Sequence, residues 1–99
     1  ASRPEAHVNL GDFASGTGDF EKALLHYEQA LRMEPEFTLA RVNMADALRQ
    51  AGDDERGEVV LRDGLARNGD DAALRHTLGL LLVRTQRQDE GVAELRRAA

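Results

Sequence analysis

The chain has 99 residues, 41% of them apolar and 31% charged, which is enough for one folded domain with a modest core. Eighteen acids against thirteen bases give a net charge of −5, which argues against a general affinity for nucleic acid or an anionic membrane surface. Cysteine is absent, so there is no disulfide framework and no thiolate metal site, and the apolar run 78–83 is far too short to span a bilayer. No signal peptide is visible. A chain that starts without Met and stops at Arg96-Arg97-Ala98-Ala99 with no helix stop signal is expected to be a piece of a longer protein.

Ser2-Arg3-Pro4-Glu5 has the spacing of a capping box, with Ser2 as N-cap. From there His7, Leu10, Gly11 and Ala14 recur at helical spacing until Gly16 and Gly18 break the pattern. Asp19 then caps a second helix whose apolar and small positions are Phe20, Ala23, Leu24, Tyr27, Ala30 and Leu31. Pro35 ends it, because the residue before a proline is pushed out of the α region. A third helix is expected from Phe37 to about Gln50, a turn at Gly52-Asp53, and a fourth from Asp54 to about Arg67. Asn68-Gly69-Asp70-Asp71 supplies a stop and a new N-cap. Helices five and six run from Ala72 to about Thr85 and from Gln88 to the end. No stretch alternates with period two for long enough to read as a strand.

A period of 34 residues runs through this pattern. Asn9, Asp12, Gly18, Asp19 and Leu31 return as Asn43, Asp46, Gly52, Asp53 and Leu65; Leu10 becomes Met44 and then Leu78. A fixed period of this length marks units that each bury an apolar face on a neighbour. Residues 4–37 supply His7, Leu10-Gly11, Ala14, Gly18-Asp19, Phe20, Ala23, Tyr27, Ala30 and Pro35. Residues 38–71 supply Arg41, Met44-Ala45, Leu48, Gly52-Asp53, Gly57, Leu61 and Gly64, with Gly69 in place of the proline. Residues 72–99 supply Arg75, Leu78-Gly79, Leu82, Gly91, Leu95 and Ala98, with Gln86-Arg87 in place of the Gly-Asp turn. In these features the chain resembles the tetratricopeptide repeat family. The resemblance implies an all-α, right-handed superhelical stack of helix-turn-helix repeats: six helices in one domain over 1–99, divided 4–37, 38–71 and an incomplete 72–99. Within it, small residues at Gly11, Ala23 and Ala30 let helices approach while Leu10 and Tyr27 fill the gaps. Gly57, Gly64 and Gly91 are read as slots that demand smallness, at about 1 kcal/mol each relative to alanine in a helix, the alternative being a second unit kept soft so that the groove can adapt.

The resemblance also implies a concave groove lined by the first helix of each unit, and a role as a protein- or peptide-binding scaffold. Once the core face is assigned, helical spacing runs the exposed stripe through Glu5, Val8, Asp12 and Ser15, then Leu39, Val42, Asn43, Asp46 and Arg49, then Ala73, His76, Leu80, Val83 and Arg84. Repeated Asp12 and Asp46 make an acidic patch suited to a partner with basic residues. The family's clamp for acidic chaperone tails needs Lys and Arg where this chain has Val8, Asp12, Ala73 and Thr77. Only Asn43 of that set is present, so a chaperone-tail role is rejected; Asn43 is expected to bond a bound peptide's backbone or to cap its own neighbours. Leu80 and Val83 add apolar surface at the last unit, an end expected to be covered by the rest of a longer chain or by a second copy.

Nothing points to catalysis, a cofactor or a metal. Gly16-Thr17-Gly18 follows a helix rather than a strand and has no P-loop lysine, and Asp53-Asp54-Glu55 lacks the alternation of a calcium loop. His7, His26 and His76 sit on three different helices with no i, i+4 pair. Two functions follow: an interaction module that binds through its groove, or a non-catalytic structural or oligomerisation domain of a larger enzyme or electron-transfer protein.

Overall fold

The computed structural model describes residues 3–85 and 87–98, without the side chain of Gln88. Six helices follow in chain order: α1 (Pro4–Gly16), α2 (Phe20–Met33), α3 (Thr38–Gln50), α4 (Asp54–Arg67), α5 (Ala72–Arg84) and α6 (Gln88–Ala98). Three begin behind an aspartate whose carboxylate accepts a first-turn amide: Asp19 from Lys22 at 3.2 Å, Asp53 from Arg56 and Asp71 from Leu74, both at 3.1 Å. A carboxylate there satisfies an orphan N–H and faces the positive end of the helix. For α1 the N-cap position is held by extended Arg3 without a side-chain bond, and the expected cap Ser2 lies outside the described residues.

The turns repeat as the helices do. Gly18 and Gly52 both take φ +82°, the left-handed region that only glycine enters at little cost, and each closes a hairpin. Glu34, ahead of Pro35, is thrown into an extended conformation (φ −141°, ψ 90°). Asn68 does the same (φ −143°, ψ 88°) although Gly69 follows it, so the proline enforces a geometry the stack requires anyway.

Successive helices pack as antiparallel hairpins α1/α2, α3/α4 and α5/α6, and each hairpin lies against the next to give a body of 42 × 26 × 17 Å. Close approach depends on missing side chains. A Cβ at Gly11 would lie 2.7 Å from the Tyr27 ring, and one at Gly79 would lie 2.7 Å from Leu95 Cγ. One core cluster joins Val8, Tyr27, Met44 and Leu48 across the first two hairpins; another joins Ala45, Leu61, Leu74, Leu78 and Leu82 across the last two.

Buried Arg41 ties the hairpins together. Its guanidinium donates to the carbonyls of Pro35 (3.1 Å) and Val60 (3.0 Å) and pairs with Asp63 at 3.0 Å. Thirty-four residues on, Arg75 donates to the carbonyl of Gly69 at 2.7 Å and meets Glu94 at 3.5 Å. The same device thus clasps the loop behind each of these hairpins. Thr38 donates to Asp71, which links the start of α3 to the cap of α5.

One core expectation is overturned. Leu10, read as a gap filler, is 50% exposed, whereas its equivalents Met44 and Leu78 are 5% and 0% exposed. That position is covered by the hairpin that comes before it, and among the described residues no helix packs on that side of α1.

Candidate functional site

The first helices α1, α3 and α5 lie side by side along one face of the stack. Between α1 and α3 sits a recess of about 310 Å³, lined by Asp12, Ser15, Gly16, Tyr27, Asn43, Asp46 and Gln50. Asp12 is its organised centre: it accepts the Tyr27 hydroxyl at 2.6 Å and the Asn43 amide at 3.1 and 3.3 Å to its two oxygens. A buried tyrosine needs a partner for its hydroxyl, and here that partner is a carboxylate that lines the recess. Burial, then the hydrogen bond to Asp12 and the negative charge of Asp12 and Asp46, push the Tyr27 phenol well above its ordinary range, so it stays a donor. Asp46 pairs with Arg49 at 3.4 Å. Among the described residues no basic side chain pairs with Asp12.

A second recess, of about 200 Å³ between α3 and α5, is lined by Ala45, Asp46, Arg49, Thr77, Leu80, Leu81 and Arg84. Its character differs: Leu80 is 48% exposed, and Arg84 is held by Asp54 at 2.8 Å. The face therefore passes from acidic and hydrogen-bonding at one notch to apolar and mixed in charge at the next.

The family profile of the tetratricopeptide repeat matches residues 13–81, more than half of the sequence. The chain belongs to the tetratricopeptide repeat family. Its members serve in general as scaffolds for protein–protein interaction. Two solved structures of MamA have a similar fold: one superposes with a TM-score of 0.81 at 14% identity, covering 97% of this chain and 56% of that one. The other gives 0.78 at 18% identity, covering 96% and 52%. At such identities the likeness concerns the fold alone, and this chain spans about half the length of those proteins. A comparison with curated protein sequences finds no match.

In this tetratricopeptide repeat the expected groove stripe divides. Asp12, Ser15, Asn43 and Asp46 meet in the first recess; Asp46, Arg49, Leu80 and Arg84 line the second. Glu5 and Leu39 are exposed but line neither, while Ala73 and His76 belong to a separate recess of about 510 Å³ with Ala72, Leu95 and Ala98. Val8 is not a groove residue. It is 2% exposed and lies in the same core cluster as Met44 and Leu48, because its side of α1 is the one the next hairpin covers. Half-buried Val42 packs against the second core cluster for the same reason, and half-buried Val83 faces Gly91, where an added Cβ would lie 2.6 Å away. Rather than capping its own neighbours, Asn43 donates across to Asp12 on α1.

Gly16, Tyr27 and Gln50 also line the first recess and Ala45, Thr77 and Leu81 the second, although none of them lies on the expected stripe. Tyr27 was hidden by its core role, since only its hydroxyl reaches the recess. His7 and His26 are brought together, with Nδ1 atoms 3.3 Å apart and rings stacked at 5.6 Å. Among the described residues no group of three or more His, Cys, Asp or Glu is placed to hold a metal ion. Among the same residues no helix is long and apolar enough to cross a membrane.

Proposed function

We propose that this tetratricopeptide repeat binds an extended segment of another protein along the α1/α3/α5 face, with a lysine or arginine of that segment on Asp12. The observation that carries this is the Asp12 carboxylate, oriented by Tyr27 and Asn43, with Asp46 lining the same recess. A cation entering there meets a pre-positioned acceptor and adds a charge-assisted hydrogen bond, while the exposed Leu80 beyond it offers apolar contact. The repeat limits 4–37, 38–71 and 72–99 within one domain belong to the same reading, as does the absence of catalysis: this is a surface that recognises.

The test is a peptide array read by fluorescence polarisation. Lysine- and arginine-bearing peptides should bind, weaken as salt rises, and lose about tenfold on Asp46→Asn, which leaves the Tyr27 hydrogen bond in place. Selection of acidic or uncharged peptides, or affinity indifferent to Asp46→Asn, would refute it. The second reading, a non-catalytic structural or oligomerisation domain of a larger enzyme or electron-transfer protein, is favoured by apolar surface away from the groove, namely Leu10 and Phe13 at 50% and 74% exposure.

A further inference from the structure

The 34-residue period lets each position serve as a control for its equivalents. Ala6, Leu10 and Phe13 fall on one side of α1 at i, i+4 and i+7. Their equivalents on α3 are Ala40, Met44 and Ala47, exposed by 0%, 5% and 1%; on α5 they are Leu74, Leu78 and Leu81, at 2%, 0% and 3%. On α1 the same stripe is open, with Leu10 at 50% and Phe13 at 74%. What covers the inner copies is visible in the structure. The α3 stripe shares its cluster with Tyr27 and Leu24 of the preceding α2, and the α5 stripe shares its cluster with Leu61 and Leu65 of the preceding α4.

The opposite end presents the complementary half of this interface. On α6 the positions equivalent to Leu24 and Tyr27 are Val92 and Leu95. Val92 is 41% exposed, and Leu95 lines the open recess of about 510 Å³ with Ala72, Ala73, His76 and Ala98. Charge runs the same way along the stack. Residues 4–37 hold seven acids and two bases, a net −5, whereas residues 72–99 hold three acids and five bases, a net +2.

We propose that the α1 stripe Ala6/Leu10/Phe13 of one copy docks on the Val92/Leu95 face of α6 in a second copy, so that the stack continues head to tail between molecules. The contact repeats in chemistry the interface the chain already makes twice within itself, and the acidic hairpin of one molecule meets the basic hairpin of the next. Because each end is occupied by a different end of its neighbour, the association is heterologous and adds copies rather than closing as a symmetric pair. It uses a surface separate from the groove and stands or falls independently of the groove reading.

Sedimentation velocity of the 99-residue chain over micromolar to several hundred micromolar concentration tests it. The weight-average sedimentation coefficient should rise with concentration past that of a dimer, and less steeply at high salt. Phe13→Glu and Val92→Glu alter exposed side chains, so each should keep its helical circular dichroism and melt while sedimenting as a monomer alone. Mixed, the two variants retain one intact face each and should form a one-to-one complex that grows no further. A wild-type monomer throughout, unaltered association of either variant, or no complex in the mixture overturns the proposal. Asp46→Asn should leave every one of these readings unchanged.

Discussion

The first and middle hairpins fill the same slots in opposite ways. In the first, bulk comes from the second helix: the Tyr27 ring lies where a Cβ at Gly11 would stand, only 2.7 Å away. In the middle, bulk comes from the first helix: Arg41 reaches over Gly64, whose added Cβ would lie 2.6 Å from Arg41 Cδ and 2.8 Å from Leu74 Cδ1. The partners have traded accordingly, with Ala45 and Leu61 standing where Gly11 and Tyr27 stand, and Ala30 where Gly64 stands. Across each pair of helices the volume is shared out differently while the helices still pack closely. The repeat constrains sums of side chains across an interface more tightly than single identities.

This comparison can be broken most severely at Tyr27. Tyr27→Ala empties a fully buried site in the first hairpin and removes the hydroxyl that orients Asp12, so it should cost about 3–5 kcal/mol in chemical denaturation. The middle hairpin's counterpart is Arg41→Met, which keeps volume but strips the carbonyls of Pro35 and Val60 of their donor. A loss of about 1–3 kcal/mol is expected, and a variant as stable as the parent would show that Arg41 acts only as filler.

Alkaline titration probes the first hairpin without a mutation. The Tyr27 phenol is raised above its ordinary pKa of 10.0 in the folded chain, so the unfolded chain releases that proton first. The associated stability is complete below pH 10 and declines above it, by about 1.4 kcal/mol per pH unit until the folded phenol ionises. The sequence contains one tyrosine and no tryptophan, so phenolate absorbance reports Tyr27 alone and should appear only with loss of helix. Ionisation near pH 10 in the folded state would disprove its burial against Asp12.

The smallest effects sharpen the comparison by their sign. At Gly57 an added Cβ meets only ordinary contacts, Leu81 Cδ1 at 3.4 Å and Ala45 O at 3.8 Å, so Gly57→Ala should gain up to about 1 kcal/mol from helix propensity. At Gly64 the same change collides with Arg41 and Leu74 and should lose about 1 kcal/mol net. Thermal melts of the two variants should therefore move in opposite directions. The sequence reading treated these glycines alike, because propensity is a property of the residue whereas the collision belongs to the neighbour.

The candidate site was legible in part. Asp12, Asn43 and Asp46 could be placed on a common face from helical spacing, since α1 and α3 repeat the same phase. Val8 and Leu10 went to the wrong sides of α1 for one reason: a single helix has an apolar stripe, but which edge is covered depends on the hairpin stacked beside it. Exposure along 8, 42 and 76 runs from buried Val8 through half-buried Val42 to exposed His76, while along 10, 44 and 78 it falls from 50% to 0%. These opposed gradients are end effects of a stack, which identical positions in a repeat cannot reveal.

By itself the sequence determined the starts of α2, α4 and α5 through aspartate caps and the turns at Gly18, Gly52 and Pro35, and through its period it determined that the helices pair and stack. Those signals are local, or repeat at fixed spacing, so they survive without knowledge of the neighbours. The tertiary structure alone decided that Tyr27 belongs to the core and also lines the α1/α3 recess, that Asn43 spends its amide on Asp12, that Gly57 and Gly64 are not equivalent, and that the open apolar stripe lies on α1 as well as beyond α5. Each of these depends on contacts between residues 10 to 31 positions apart, and only the packed helices bring them within reach of one another.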